Sequence, residues 1–377
     1  MKHGFIFLFF LFVSFAFSQT IAVNEKFNLP SGISETSGLI FFNNRLVTHN
    51  DSGGTAQLFE LDTISGVINR TVTINNATNV DWEDLAHDNN YIYIGDIGNN
   101  SGDRTDLKVY RVSKTDYENN TTVNADVINY SYADQADFTP SSNNTDWDAE
   151  GLIALGNYLY IFSKNWVNNE VDLYVIPNTP GNHIANKEGT YDVQGLVTGA
   201  DLTTDNSKIY LTGYSESSVT PFIFMLYDIS ISPPTDFDLF SNSNNFKFDA
   251  VLPFGNQVEG ISFVEQNGSV DHLFISNEAL TIVPLNFDPK LRSIDVDNTT
   301  LSTLDLEKTL IKVYPNPFSN VINISELVDE VKIYDNIGRL VKLYKNTNNI
   351  QTFELQNGLY IVHVLVEGQT AVFKLIK

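Results

Sequence analysis

Short apolar runs separated by polar turns recur through the middle of this chain, and no long stretch carries the 3.6-residue spacing of a helix. The apolar positions Leu39, Leu85, Leu152, Leu202 and Ile261 serve as anchors. In the first four units a strand-like triplet follows six residues on: Arg45-Leu46-Val47, Tyr91-Ile92-Tyr93, Tyr158-Leu159-Tyr160 and Lys208-Ile209-Tyr210. In the fifth, His272-Leu273-Phe274 follows an insertion containing Asn267-Gly268. Turn formers such as Asn43-Asn44, Asn89-Asn90 and Gly156-Asn157 lie between anchor and triplet, so each pair reads as a β-hairpin.

A third apolar segment completes the pattern at Leu58 to Leu61, Leu107 to Val112, Val171 to Ile176, Phe222 to Ile229 and Leu280 to Phe287. The first four units then have a fourth, more polar strand. The fifth has none, but Ile21 to Leu29 forms a strand with no unit of its own. Joining the two closes a ring, so the fold predicted is an all-β propeller of five four-stranded blades. A six-bladed ring with one degenerate blade stays open. The propeller is placed at residues 20–288 and a polar linker, rich in Asp, Thr and Ser, at 289–309.

Both ends of the chain read as export signals. Lys2, an apolar run from Phe5 to Phe17 and the small residues of Ala16-Phe17-Ser18 make residues 1–18 a signal peptide. The run is shorter than the roughly 20 residues of a membrane-spanning helix, and no other stretch is long enough. At the other end stand Val313-Tyr314-Pro315-Asn316-Pro317-Phe318, Val331-Lys332-Ile333-Tyr334-Asp335, Ile337-Gly338-Arg339-Leu340-Val341 and Gly358-Leu359-Tyr360-Ile361-Val362-His363-Val364. With the terminal Phe373-Lys374-Leu375-Ile376-Lys377, residues 310–377 resemble the type A sorting domain of the Bacteroidetes type IX secretion system. The resemblance implies a small β-sandwich read by the secretion machinery, passage through the periplasm and outer membrane, removal of the domain, and release or attachment at the cell surface.

The absence of cysteine excludes disulfides, thiol catalysis and thiolate metal sites. The formal charge is −24, and residues 310–377 carry seven Lys/Arg against six Asp/Glu, so −25 falls before them. Such a surface disfavours nucleic acid and anionic membranes and suits cations.

Much of the interesting acid falls in columns. Two residues before the anchors stand Ser37, Glu83, Glu150, Ala200 and Glu259; four before stand Glu35, Asp81, Asp148, Thr198 and Gln257. Eleven after, discounting the insertion, stand Asn50, Asp96, Ser163, Gly213 and Asn277, flanked by His49, Asp51, Lys164, Tyr214 and Glu278. Antiparallel pairing brings the start of each first strand and the end of each second strand to one rim of the channel.

Unpaired carboxylates facing one channel repel one another. Calcium, with six to eight oxygen ligands, offsets that repulsion, and Glu83, Glu150, Glu259, Asp81, Asp148, Asp96, Asn50 and Asn277 are the candidate ligands. Solvated carboxylates bonded to backbone N–H groups are the alternative. The loop Gly95 to Arg104 reads either as a second calcium loop or as a long turn. Trp82, Trp147 and Trp166 lie beside the columns, to stack on a sugar or to pack between blades.

Glu150-Gly151-Leu152, Val258-Glu259-Gly260-Ile261 and His49-Asn50-Asp51 weakly resemble secreted propellers of the phytase-like esterase and gluconolactonase groups. That resemblance implies a calcium at the channel mouth acting on esters, lactones or phosphates, although Ser37 and Ala200 stand where a repeated Glu is expected. His49 or a free carboxylate is the candidate base. Two functions therefore stand open: a binding module for a glycan, peptide or small molecule, and a calcium-dependent hydrolase.

Overall fold

The computed structural model describes residues 19–252, 255–282, 285–299, 312–335, 339–366 and 369–377. The expected signal peptide, residues 1–18, and residues 300–309 of the expected linker lie outside them. The chain divides into two units, Met1–Val296 and Asp297–Lys377.

The first unit is a ring of five four-stranded blades. Their innermost strands are Thr36–Phe42, Trp82–His87, Ala149–Leu155, Leu196–Leu202 and Val258–Asn267. Each packs on the next, and the fifth packs back on the first, which closes the ring. The second strands, Arg45–Asn50, Tyr91–Asp96, Tyr158–Ser163, Lys208–Tyr214 and Val270–Asn277, pair antiparallel with them. Asn43 and Asn44 both adopt positive φ, as a tight two-residue hairpin requires. Apolar side chains fill the spaces between blades: Ile40, Val47 and Leu58 meet Trp82, Leu85 and Ile92 between the first two. Leu39, Leu46 and Leu61 meet Phe274 and Leu291 across the closing seam.

The strand left over at the N-terminus closes the ring as expected. Val23–Asn28 pairs with Lys290–Asp297 in the fifth blade, while Gln19–Ile21 lies parallel on the edge of the fourth, against Phe248–Ala250. The fifth blade corrects two expectations. Leu280–Ile282 and Leu285–Phe287 form a small separate hairpin instead of the third strand. That strand is Lys290–Asp297, so the propeller runs past residue 288 and takes in the start of the expected linker. Leu291, Ile294 and Val296 are buried there, which is the physical reason a segment rich in Asp and Ser is still a strand.

Outer strands Asp126–Tyr132 and Gly181–Tyr191 pair in parallel, fusing the second and third blades into one eight-stranded sheet. A short helix, Lys114–Asn119, is capped by the Ser113 hydroxyl. No helix among the described residues is long and apolar enough to cross a membrane.

The second unit is a five-stranded antiparallel sheet built on the long strand Val321–Asp335. That strand changes register between Asn323 and Val328 and pairs with Val313–Tyr314, Leu340–Gln351 and Leu359–Val366. Phe318, Ile322, Ile333, Val362 and Leu375 make its core.

Candidate functional site

Every first strand of the propeller breaks register with its neighbour at the same point. The breaks fall between Thr36 and Leu39, Trp82 and Asp84, Ala149 and Gly151, Val197 and Gly199, and Val258 and Gly260. A bulge re-aims its extra residue. Ser37, Glu83, Glu150, Thr198 and Glu259 hold these positions, so the fourth blade is anchored at Ala200, not Leu202, and Thr198 takes the place expected for Ala200.

Glycine follows the bulge in four blades, and at Gly38, Gly199 and Gly260 the backbone of the next blade is too close for a side chain. A Cβ on Gly199 would lie 2.5 Å from the Glu259 carbonyl oxygen, and one on Gly260 would lie 2.7 Å from that of Ser37. The second blade has Asp84 there instead. Its Oδ2 accepts from the backbone N–H of Leu152 at 2.8 Å and of Ala200 at 3.0 Å, and its Oδ1 accepts from that of Leu85 at 2.8 Å. One carboxylate thus staples the third and fourth blades to the second. Asp84→Asn, which replaces one acceptor by an amide, should cost about 1–2 kcal/mol in denaturant unfolding. An unchanged midpoint would refute that role.

At the bulge end of the strands lies a cavity of about 230 Å³ whose walls include Asp51, Asp81, Glu83, Glu150, Glu259 and Glu278 with Lys164, Trp166 and Tyr214. The rim residues are seated by a repeated bond: Asp51, Ile97 and Lys164 donate their N–H to the carbonyls of Glu35, Asp81 and Asp148.

The cavity has two unlike halves. On one side the Lys164 ammonium bonds both oxygens of Glu150, at 2.7 and 2.8 Å, over the faces of Trp166 and Tyr214. Burial pulls the Lys164 pKa down, but Glu150 outweighs it and holds the ammonium protonated. Glu259 lines the same half, and burial pushes its pKa up to about 8.

On the other side one carboxylate oxygen from each of Asp51, Asp81 and Glu83 lies within 4.8 Å of the other two. Burial, then the neighbouring Asp81 charge, pushes Asp51 up to about 7. Burial, then Asp148, pushes Asp81 up to about 6. Glu83 is driven well above the carboxylate range by burial and then by Asp51. No lysine or arginine among the described residues pairs with Asp51, Asp81 or Glu83. Gly98 makes room for two of the carboxylates, since a Cβ there would lie 2.1 Å from Glu83 Oε1 and 2.4 Å from Asp81 Oδ2.

Of the eight expected calcium ligands, Glu83, Glu150, Glu259 and Asp81 line this cavity and Asp148, Asp96, Asn50 and Asn277 do not. Asp148 accepts from the Asn99 N–H and from Trp166 Nε1, both at 2.7 Å, and so positions the Trp166 ring. Asp96 is held by Arg104 at 2.8 Å. The same guanidinium donates to the Gly98 carbonyl at 2.7 Å, so within the Gly95 to Arg104 loop Asp96 is neutralised by Arg104. Asn50 donates to the Gly32 carbonyl, and Asn277 is tied to Arg292 and to the carbonyls of Glu278 and Asp288.

His49 is fully buried with its ring edge-on to Trp82 at 5.7 Å, and burial lowers its pKa to about 4. It does not line the cavity. Trp82 is core, and only Trp166 of the three tryptophans lines the mouth. Asp51, Lys164, Tyr214 and Glu278 do line it; the columns had marked them only as neighbours.

Residues 312–377 match the family model of the secretion system C-terminal sorting domain. They are a type IX sorting domain. The protein is therefore a substrate of type IX secretion, exported to the cell surface or the medium. No protein of curated function matches the chain. Among solved structures, the extracellular domain of a one component system from B. thetaiotaomicron is similar at 10% identity and TM-score 0.30. The match covers 95% of this chain and 59% of that one. A chain of the Mitotic Checkpoint Complex is similar at 10% identity and TM-score 0.35, covering 78% of this chain and 99% of that one. Neither likeness bears on the chemistry of the mouth.

Proposed function

We propose that the sorting domain delivers a binding module whose channel mouth holds calcium on Asp51, Asp81 and Glu83. The observation that carries this is Glu83: its side chain is in the cavity wall, the residue is only 8% exposed, and no described hydrogen bond or ion pair reaches its carboxylate. Asp51 Oδ1 is likewise buried without a partner. A buried carboxylate left unpaired is costly, and a bound cation removes the cost. Oxygens bound to one calcium at 2.3–2.6 Å lie within about 5 Å of each other, which the three carboxylates satisfy. Backbone and water oxygens would complete the shell. The cavity exceeds what one ion fills, and its remaining wall supplies hydroxyl, amide and ring groups for a small polar ligand.

This reading predicts that calcium at about a hundred times its dissociation constant raises the melting temperature by roughly 5 °C, from about 2.7 kcal/mol of linkage. Asp51→Asn and Glu83→Gln should each abolish most of the shift while raising the melting temperature of the metal-free protein. A wild-type melt indifferent to calcium and chelator would reject the cation. The hydrolase alternative keeps only a free carboxylate as its base, because His49 is buried outside the cavity lining.

A further inference from the structure

Once a divalent cation is bound, the mouth still carries excess negative charge. Six carboxylates and one ammonium line it, so a single calcium leaves a formal −3. An anionic ligand meets net repulsion there, and a neutral one gains nothing from the charge.

The chain itself shows how this wall holds a cation. Lys164 places a primary ammonium on both oxygens of Glu150 and over two rings, 4.9 Å from the Trp166 centroid and 5.4 Å from that of Tyr214. Glu259 and Glu278 stand beside that pair with no lysine or arginine among the described residues bonded to either. An incoming ammonium can give their carboxylates the charge-assisted N–H donors that Lys164 gives Glu150. Glu259 is itself nine-tenths buried in this wall, and among the described residues no N–H or O–H donor reaches its carboxylate, so it marks a ligand position separate from the Asp51, Asp81 and Glu83 cluster.

We infer that the ligand of the mouth is a small molecule carrying a primary ammonium, seated on Glu259 and Glu278 beside the bound cation. The inference rests on the calcium reading only for the charge left over; without calcium the preference for a cation grows.

The test uses the secreted chain with calcium present and isothermal titration with 1,5-diaminopentane. The matched 1,5-pentanediol and glutarate are the neutral and anionic controls. The diamine should bind at least about tenfold more tightly than the diol, the scale of one charged contact, and glutarate should not bind. Glu259→Gln combined with Glu278→Gln should weaken the diamine about tenfold or more while the calcium melt shift persists, which also shows that the variant folds. Asp51→Asn should do the reverse. Equal binding of diol and diamine, diamine binding indifferent to the double variant, or one-for-one competition between diamine and calcium would each overturn the assignment. Diamine binding with no calcium shift in the wild type would keep the amine pocket and reject the metal.

Discussion

A chain ended after Asp288 is expected to lose the cooperative melt that a chain ended after Asp297 retains. The nine residues between them look dispensable by composition, yet they contain the third strand of the fifth blade. Without Lys290–Asp297, Val23–Asn28 has no partner, and Val270–Asn277 becomes an open edge beside the seam of the ring. Leu291, Ile294 and Val296 are each at most 1% exposed. Burying such side chains stabilises by about 1.5–3 kcal/mol apiece. Arg292 would leave with them, stripping Asn277 and Asn256 of the guanidinium that bonds both side chains. The combined loss, about 5 kcal/mol or more, is comparable to the whole stability of many domains. Thermal denaturation followed by circular dichroism on the two truncations decides it. Matching transitions would mean that the ring closes without its last strand. Removal of the sorting domain must accordingly cut beyond Asp297 if the exported propeller is to stay closed.

The ring and its closure were legible because anchor spacing and turn formers repeat, and a repeat reports the fold even when each unit is weak. Its phase was less secure. In the fourth blade the hairpin loop is longer, pairing Leu202 with Ile209, and counting back from Leu202 landed on Ala200 instead of the bulge at Thr198. The strand end mattered as well: His49 lies inside Arg45–Asn50 and packs between blades against Trp82, whereas Asp51 lies past the end of that strand and lines the mouth.

Ion pairs set the other limit. Nothing in the sequence says that Arg104 will hold Asp96, or that Lys164 will neutralise Glu150 and leave Asp51, Asp81 and Glu83 without a counter-ion. The acidic columns were therefore readable as a face of the ring, but the division between satisfied and unsatisfied carboxylates needed the side chains. A signal was present in the column after the second strands, where Asp51, Lys164, Tyr214 and Glu278 alternate with a single apolar residue, Ile97.

In chelator, the melting temperature should fall between pH 5.5 and pH 8, and saturating calcium should remove the fall. An unfolded aspartate ionises near 3.8, whereas folded Asp51 and Asp81 ionise near 7 and near 6, and folded Glu259 near 8. Between those values the folded chain binds more protons than the unfolded one, so stability drops as pH rises. The penalty is absent below the unfolded values and complete once pH has passed the folded ones. At about 1.4 kcal/mol per pH unit, the part of the Asp51 rise that falls between pH 5.5 and 7 corresponds to about 2 kcal/mol. For a chain of this size that is about 5 °C. Calcium binds the ionised carboxylates and releases protons, so its affinity should rise over the same interval as the metal-free protein weakens. Asp51→Asn, which holds a neutral side chain at every pH, should flatten the curve in chelator without any metal. Fluorimetric melts across the range check both arms. A metal-free protein equally stable at pH 8 and pH 5.5 would show that the cluster carries little charge to neutralise, and the case for a cation there would fall with it.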